Sequence, residues 1–259
     1  MHFTTLLIEP PGIDSQLLQV MLAPEKFRVD SVECGPDAWN HILRNDPPDL
    51  VIIDTDLPLS GHIRIGAAQL LELMSTQPHW HQTPRLVLTS DDSSDILRHI
   101  KDPHICAAIL KPYDPIRFMQ EVFNCLSRYL QRHIEEVNRQ HLQLGTQVKR
   151  VAATCRQQTT RDIEERLRAI PVAMQKHFEF EEAFMSRHNY PGFMAHYQGH
   201  LQIRTKVNAL IEEACAGEPG RFAEKIEQLG KNILDGVDDD KRYIDFLYAL
   251  IDSLTLKKR

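Results

Sequence analysis

The 259-residue chain lacks the features that mark several common classes of protein. Its 5 cysteines are scattered and form no Cys-x-x-Cys pair, which argues against a disulfide framework and against a cysteine zinc site. It contains no apolar run that is long enough to span a bilayer, and it does not begin with a basic segment followed by an apolar one. The formal net charge of -6 disfavours a general binder of phosphate backbones. A cytoplasmic protein without a nucleic-acid or membrane partner is therefore expected.

The first half of the chain contains a series of short apolar runs rich in valine, isoleucine and leucine. They fall at residues 5–8, 50–53, 85–89 and 107–110, and a further strand is expected near 27–32. Amphipathic segments lie between them, at residues 14–22, 36–45, 66–74 and 92–100. Such runs suit strands that are buried on both faces, and their alternation with helices predicts a doubly wound α/β domain with a five-stranded parallel sheet.

The second half of the chain has helical periodicity instead. Helical patterns cover residues 116–144, 163–188, 191–216 and 221–256, and turn residues separate them at 189–192 and 217–220. Long helices with short connections predict an all-α antiparallel four-helix bundle. We place the domains at residues 1–127 and 128–259, joined by a continuous helix, which can transmit strain where a flexible linker could not.

Four polar side chains follow the predicted strands of the first half. Glu9 follows the first strand, Asp54 ends the third, Thr89 ends the fourth and Lys111 ends the fifth. Ligands of a doubly wound sheet bind at these carboxyl ends. A carboxylate that accepts a phosphoryl group needs nearby positive charge and hydroxyl donors, which this set supplies.

With the segments 54–58 (DTDLP) and 110–112 (LKP), this order resembles the receiver domains of response regulators, which have a flavodoxin-like sheet, over residues 1–127. The resemblance implies that Asp54 is the phosphoacceptor, with Thr89 and Lys111 as partners of the phosphoryl group. It also implies Mg²⁺ bound by two acidic residues after the first strand. Here that pair reads Glu9-Pro10, so one oxygen ligand is missing and Mg²⁺ binding is expected to be weak. The alternative is a pseudo-receiver that serves in dimerisation or docking.

Two pairs of metal-competent residues are spaced by four in the second half. His177 and Glu181 form one pair, and His196 and His200 form the other. A spacing of four places both side chains on one face of a helix, one turn apart. A metal centre between antiparallel helices requires this arrangement.

The surrounding sequence resembles the hemerythrin family over residues 132–250. The resemblance implies a helical bundle with a non-heme di-iron site that reacts with O2. The implied ligands are His141 and His177 on one iron, His196 and His200 on the other, and Glu181 together with an aspartate of the last helix as bridges. Imidazole nitrogens with bridging carboxylates suit iron better than Mg²⁺ or Ca²⁺.

The last helix departs from the family pattern of a histidine, an aspartate five residues later and a tyrosine three beyond. Aligning Asp240 and Tyr243 with that pattern puts Asp235 in the place of the histidine. Aligning Asp238 instead puts Ile233 there and loses the tyrosine. We prefer the first alignment, although neither supplies the histidine.

The role of Asp235 stays open at this point. As a ligand it would be an anionic donor that favours ferric over ferrous iron; turned away, it would leave a coordination position for water or an added ligand. A spacing of five needs a wider turn than a regular α-helix, such as a π-bulge. In a regular helix Asp235 shares a face with Asp239, so the identity of the bridging aspartate is also open.

The two resemblances together indicate a signalling protein of the two-component type. The bundle would bind or sense O2, NO or redox state, and the receiver-like domain would serve a histidine kinase, a protein effector or a second copy of the chain. One alternative is an O2 storage or carrier protein. A second is a di-iron peroxidase or an NO-consuming enzyme, and a third is a metal-free interaction scaffold.

Overall fold

The computed structural model describes residues 2–23, 27–59, 64–90, 103–157, 163–235 and 238–256. The side chains of residues 219, 234–239 and 256 lie outside this description. Two compact units divide the chain, one of Met1–Gln131 with Leu250–Arg259 and one of Arg132–Ala249. Each unit is built around its own buried apolar core.

A five-stranded parallel sheet forms the centre of the first unit, with the strand order β2-β1-β3-β4-β5. The strands are β1 (Phe3–Ile8), β2 (Phe27–Val32), β3 (Leu50–Asp54), β4 (Arg85–Thr89) and β5 (Ile105–Leu110). Every residue of β3 and β4 is buried, as expected for central strands covered on both faces. The predicted doubly wound α/β domain is confirmed, and the order reverses between β1 and β3, where such sheets form their ligand crevice.

The helices described in the first unit are α1 (Ile13–Leu22), α2 (Gly35–Arg44) and α3 (Ala67–Thr76). The helix predicted at residues 92–100 lies outside the described residues. Gly35 begins α2 where a side chain has no space, because a Cβ atom there would lie 1.9 Å from the backbone oxygen of Ile65. Glycine at this position therefore lets α2 pack closely against the segment that leads into α3.

Long helices follow β5, and their residues between Arg132 and Ala249 form the second unit. They are α4 (Pro115–Gln157), α5 (Ile163–Arg187), α6 (Phe193–Ala216), α7 (Ala223–Asp235) and α8 (Asp238–Leu256). A short 3₁₀ turn, Pro219–Phe222, precedes α7. The helix α4 begins before the predicted domain boundary and continues past it, so the helix itself marks no boundary and the limits 1–127 and 128–259 stay a prediction.

The core of the second unit draws apolar side chains from four helices. Val148 of α4, Ile170 of α5, Ile211 of α6 and Ile226 of α7 are all buried in it. These helices converge because each has an apolar stripe that must be removed from water. The predicted helical bundle is confirmed as the fold of this region.

The helical pattern at residues 221–256 corresponds to two described helical segments, α7 up to Asp235 and α8 from Asp238, and residues 236–237 lie outside the described residues. Among the described residues, no helix combines the length and the hydropathy needed to cross a membrane.

Candidate metal centre and candidate phosphorylation pocket

Six side chains from four helices meet in the second unit and define the candidate metal centre. Their sources are α4, α5, α6 and α8, and the residues are His141, His177, Glu181, His196, His200 and Asp240. One ligand atom from each of Glu181, His196, His200 and Asp240 lies within 4.8 Å of the others, and the same holds for His141, His177 and Glu181. The structure thus brings together the two pairs of residues that are spaced by four in the sequence. It adds His141 from α4 and Asp240, the aspartate that the preferred alignment selected.

The carboxylate of Glu181 lies at the middle of this centre and faces two ways. Its Oε1 atom is 3.7 Å from Nε2 of His177 and 4.0 Å from Nε2 of His141. Its Oε2 atom is 3.2 Å from Nε2 of His196 and 3.4 Å from Nε2 of His200. Each carboxylate oxygen therefore belongs to a different pair of histidines.

Asp240 repeats this division from the opposite side. Its Oδ2 atom is 3.5 Å from Nε2 of His141, and its Oδ1 atom is 3.6 Å from Nε2 of His196. With metal–ligand bonds of about 2.1 Å, neighbouring ligand atoms around one ion are separated by roughly 3 Å or somewhat more. The separations at Glu181 and Asp240 fit two ions that share both carboxylates.

The protonation of the histidines supports the same interpretation. Nδ1 of His177 donates to Oε1 of Gln140 at 3.0 Å, and Nδ1 of His200 donates to Oε1 of Glu182 at 2.8 Å. A neutral imidazole that donates from Nδ1 has a lone pair on Nε2, and in both rings Nε2 faces the carboxylate of Glu181. Two acceptors that face each other repel unless a cation lies between them, so these residues fit bound metal ions.

Buried charge gives a further reason for metal at this place. Glu181 is fully buried, and its Oε1 atom has no hydrogen-bond partner among the described residues. Burial lowers the pKa of His177 to about 4, so this ring is neutral and able to bind metal at pH 7. Burial also raises the pKa of Asp240, and the charge of Glu181 raises it further. A cation between the two carboxylates would remove this repulsion.

Burial alone would raise the pKa of Glu181, but the surrounding imidazoles outweigh it. The nearby imidazoles of His196 and His200, followed by those of His177 and His141, lower the pKa of the carboxyl group. The anionic form, which is the form that binds metal, is therefore favoured at the middle of the centre.

The sequence motifs did not reveal the side chains that orient the candidate ligands. Gln140 accepts a hydrogen bond from His177 and donates one through Nε2 to Oε1 of Glu136 at 2.7 Å. The side chain that orients His177 is therefore itself held in place. Glu182 orients His200 from the neighbouring helix. Their adjacency in sequence to His141 and Glu181 was the only available signal, because their contacts join residues on different helices.

His133 was also missed, since a single histidine on a helix usually has no special role. Nε2 of His133 lies 2.7 Å from the hydroxyl oxygen of Tyr243. The imidazole ring stacks on Phe184 with ring centres 3.6 Å apart and on Phe180 at 4.8 Å. The result is a buried polar pair inside an aromatic wall next to the candidate metal centre.

An apolar cavity opens onto the candidate metal centre. Beside candidate ligands, it is lined by Leu144, Met174, Phe178, Ile203 and Ile233. Phe178 also stacks on His200, with ring centres 3.8 Å apart. Apolar lining limits the access of water and of charged solutes to the ligand atoms.

The other aspartates considered as ligands are Asp235, Asp238 and Asp239. Their side chains lie outside the described residues. Ile233, which the second alignment puts in the place of the histidine, lines the cavity instead.

The carboxyl edge of the sheet holds the four residues predicted for the candidate phosphorylation pocket. Glu9, Asp54 and Thr89 are buried, and Lys111 is 14% exposed. Nζ of Lys111 donates to Oδ2 of Asp54 at 2.7 Å and to Oε1 of Glu9 at 3.0 Å. The other oxygen of Asp54, Oδ1, accepts from the backbone N–H of Asp56 at 3.0 Å. The contacts place Glu9, Asp54 and Lys111 together, and β4 ends beside them at Thr89.

A third carboxylate reaches this pocket, which the sequence had not indicated. Oδ2 of Asp14, on α1, lies 3.7 Å from Nζ of Lys111. Burial raises the pKa of Glu9 to about 7; the hydrogen bond from Lys111 opposes this shift, and the charge of Asp54 adds to it. Desolvation alone would lower the pKa of Lys111, but its hydrogen bonds to Asp54 and Glu9 raise it. The pocket is thus a group of carboxylates held together by one ammonium ion.

Comparison with known families agrees with both units. Residues 6–123 match the response regulator receiver domain, and residues 118–254 match the hemerythrin HHE cation binding domain. The chain therefore belongs to the hemerythrin HHE family and carries a receiver domain before that region. No curated protein matches the chain.

Solved receiver domains are similar to the first part of the chain. A signal receiver domain of an HD domain-containing protein from Pseudomonas fluorescens Pf-5 is 22% identical, with 50% of this chain and 98% of that chain covered and a TM-score of 0.44. The receiver domain of a sensor histidine kinase from Pseudomonas aeruginosa PAO1 is 19% identical, with 50% and 98% covered and a TM-score of 0.42. A third, from a signal transduction histidine kinase of Syntrophus aciditrophicus, is 22% identical, with 48% and 90% covered and a TM-score of 0.42. The combination of a receiver domain with a hemerythrin-like domain supports a role in signalling.

Proposed function

We propose that this protein is a two-component-type signalling protein in which a hemerythrin-like di-iron centre binds or senses O2, NO or redox state. In this proposal the candidate metal centre holds two iron ions, and Asp54 is the phosphoacceptor of the receiver domain. The partners are a small gaseous ligand, a histidine kinase and a protein effector.

The observation that carries the proposal is the division of two carboxylates between two pairs of histidines. Glu181 directs one oxygen toward His141 and His177 and the other toward His196 and His200. Asp240 directs its two oxygens toward His141 and His196. A single-ion site needs no such division, whereas a pair of ions bridged by two carboxylates does.

The chemistry of the donors favours iron over Mg²⁺ or Ca²⁺. The described residues offer imidazole nitrogens together with carboxylate oxygens, a mixture that suits iron and related transition metals. Glu181, His196, His200 and Asp240 would offer one ion four donors, and His141, His177 and Glu181 would offer the other ion three. Asp240 also lies 3.5 Å from His141, and non-heme iron with two histidines and a carboxylate commonly keeps open positions. Bound iron would supply redox chemistry and coordination of an added small ligand.

The lining of the cavity favours a small uncharged ligand. Met174, Phe178 and Ile203 present apolar surface beside the candidate ligands. An ionic ligand would lose its hydration there without gaining a polar partner from these side chains, whereas O2 or NO would lose little. The same lining keeps water away from the ions.

The receiver domain supplies a carboxylate in a suitable environment for phosphorylation. Lys111 donates to Asp54, so a cation is in place to stabilise added phosphoryl oxygens. Glu9 and Asp54 are the residues that would hold Mg²⁺, and the Oε2 atom of Glu9 has no hydrogen-bond partner among the described residues. Glu9 therefore fits a cation, although it is the only acid of the expected pair.

The first test is the iron content of the purified protein, with visible spectra of the reduced protein before and after exposure to O2. Two irons per chain and a charge-transfer band that depends on O2 or NO are expected. Failure to bind iron after anaerobic reconstitution with Fe²⁺ would contradict the di-iron proposal. Turnover of peroxide or NO at many equivalents per chain would favour an enzyme over a sensor.

The second test is phosphorylation with acetyl phosphate, with and without Mg²⁺, followed by intact-protein mass spectrometry. One added phosphoryl group is expected on the unchanged protein and none on Asp54→Asn. Asp30→Asn serves as the control, because Asp30 lies on β2 away from the pocket. Phosphorylation that persists in Asp54→Asn would show that another residue is the acceptor.

A further inference from the structure

Tyr243 and His133 form a buried hydrogen-bonded pair beside the candidate metal centre. His133 lies on α4, and Tyr243 lies on α8, three residues beyond Asp240. The phenol oxygen and Nε2 of the imidazole are 2.7 Å apart, a short hydrogen bond. The residues are 0% and 7% exposed, respectively, so water has little access to the shared proton.

The imidazole of this pair is neutral and has a nitrogen lone pair that faces the phenol. Burial lowers the pKa of His133 to about 3; the charge of Glu181 opposes this shift, and His188 adds to it. The ring is therefore neutral near pH 7, with one protonated and one unprotonated nitrogen. In the tautomer with the proton on Nδ1, Nε2 accepts the hydrogen bond from the phenol of Tyr243.

The phenol lies between the candidate metal centre and a partly exposed tyrosine. The ring of Tyr243 is centred 6.1 Å from the ring of His196, a candidate ligand. On another side it is centred 5.4 Å from the ring of Tyr190, in the turn between α5 and α6. These separations lie in the range of aromatic contacts. The rings thus form a short path that leads away from the ligands.

We propose that Tyr243 is a redox-active residue that gives an electron to an oxidised metal ion at this centre, with His133 as the acceptor of its proton. The inference rests on the proposed function, because the oxidant is iron that is held by the candidate ligands and has been oxidised by hydrogen peroxide. The O–H bond of the phenol breaks. Its electron lowers the oxidation state of the iron by one, and its proton passes to Nε2 of His133. The products are a neutral phenoxyl radical and an imidazolium ion, and a one-electron reductant such as a thiol restores the phenol.

A purely structural role would not require this pair. Phenylalanine would fill the same aromatic space without burying a hydroxyl group, and a buried hydroxyl group needs a partner to avoid a desolvation cost. The short bond between a phenol and a neutral imidazole instead couples loss of an electron to movement of a proton over a hydrogen-bond distance. Such a pair would draw oxidising equivalents away from the ligand histidines.

The test is electron paramagnetic resonance of the Fe²⁺-loaded full chain, frozen after treatment with hydrogen peroxide. Iron per chain is measured first on each sample. A tyrosyl radical, identified by its change of line shape in ring-deuterated tyrosine, is expected in the unchanged protein and is expected to be lost in Tyr243→Phe. Tyr248→Phe is the matched control, because Tyr248 lies on the same helix and is 45% exposed.

The role of His133 is tested with His133→Gln, which keeps a hydrogen-bonding side chain but cannot hold a proton. With iron content unchanged, we expect the radical yield to fall by about tenfold or more, in line with the loss of a positioned proton acceptor. An unchanged yield would exclude His133 from this role.

The remaining outcomes separate the two proposals. Two irons per chain without a tyrosyl radical, or with a radical that survives in Tyr243→Phe, would overturn the inference about Tyr243 and leave the metal centre in place. Failure to bind iron at all would overturn both.

Discussion

Oε2 of Glu181 lies 3.2 Å from Nε2 of His196, while the other oxygen of the same carboxylate faces a different pair of histidines. One side chain thus serves both halves of the candidate metal centre. Its position is set by α5, which buries Glu181 completely. In the proposed di-iron centre, Glu181 is therefore the residue whose replacement should affect both ions at once.

Glu181→Gln is expected to reduce iron from two ions per chain to one or fewer. The amide keeps one oxygen donor but replaces the other with an NH2 group, which is not a metal ligand. Iron per chain, measured after reconstitution and desalting, is the readout. Glu179→Gln is the matched control, because Glu179 lies two residues away on the same helix and is exposed. An unchanged iron content in Glu181→Gln would contradict the bridging role.

Glu182→Leu is expected to weaken metal binding by about 10–100-fold, the usual effect of losing a hydrogen bond to a ligating histidine. Glu182 accepts from Nδ1 of His200 at 2.8 Å and so fixes which nitrogen of that ring carries the proton. Glu182→Gln keeps an oxygen acceptor and should recover part of the affinity. Competition with a chelator of known affinity measures the change in metal affinity. Equal metal affinities in Glu182→Leu and Glu182→Gln would show that the acceptor is not needed.

The buried imidazole of His133 predicts acid sensitivity of the metal-free second unit. Its pKa is about 3 in the folded protein, below the ordinary value of 6.5, so protons bind more readily to the unfolded chain. The contribution of His133 to stability is therefore complete above pH 6.5 and is lost as the pH falls from 6.5 toward 3, by up to about 1.4 kcal/mol per pH unit. Glu181 and Glu136 oppose the shift, and His188 adds to it.

The measurement is hydrogen exchange of α5 and α8 at pH 7 and pH 5, with intrinsic rates corrected for pH. His133→Gln should reduce the difference in stability between the two pH values. His79→Gln, at an exposed histidine, is the control and should leave the difference unchanged. A difference that is equally large in His133→Gln would assign the acid sensitivity to other groups.

Lys111→Met is expected to destabilise the first unit by about 3–5 kcal/mol, the usual cost of leaving buried partners of a charge unpaired. The ammonium group of Lys111 separates the carboxylates of Glu9 and Asp54, which would otherwise repel each other. Urea denaturation followed by tryptophan fluorescence suits this test, because Trp39 and Trp80 both lie in the first unit.

Added Mg²⁺ should restore part of the stability of Lys111→Met, since a cation can replace the ammonium ion between two carboxylates. Arg44→Met, which removes an exposed positive charge from α2, is the control and should cost little. A loss of stability in Lys111→Met no larger than in the control would indicate that Lys111 does not hold the carboxylates together.

Much of the fold was predictable because it depends on local periodicity. The bounds of β2 and β4 agree with the predicted runs at residues 27–32 and 85–89. Every residue of β4 is buried, and a strand covered on both faces gives a largely apolar sequence that is easy to recognise. The length of α4 was underestimated, because a break was expected after residue 144 but the helix continues to Gln157. Helix ends depend on packing and capping as well as on pattern, so they are harder to predict.

The spacing of His177 with Glu181 and of His196 with His200 was sufficient to predict which side chains share a helical face, because 3.6 residues per turn is a property of the backbone. Sequence also indicated the acidic, hydroxyl and basic residues at the carboxyl ends of the strands. The first prediction concerns neighbours within one helix. The second concerns the ends of parallel strands, whose crossover connections have a known handedness.

Only the tertiary structure decided which atoms meet across elements. Lys111 contacts Glu9, which is 102 residues away, and His133 contacts Tyr243, which is 110 residues away. No periodicity relates such positions, because their approach depends on how whole helices and strands pack. For the same reason, the sequence predicted that Glu181 would be a bridge by resemblance, whereas the packing of four helices determines which of its oxygens faces which histidines.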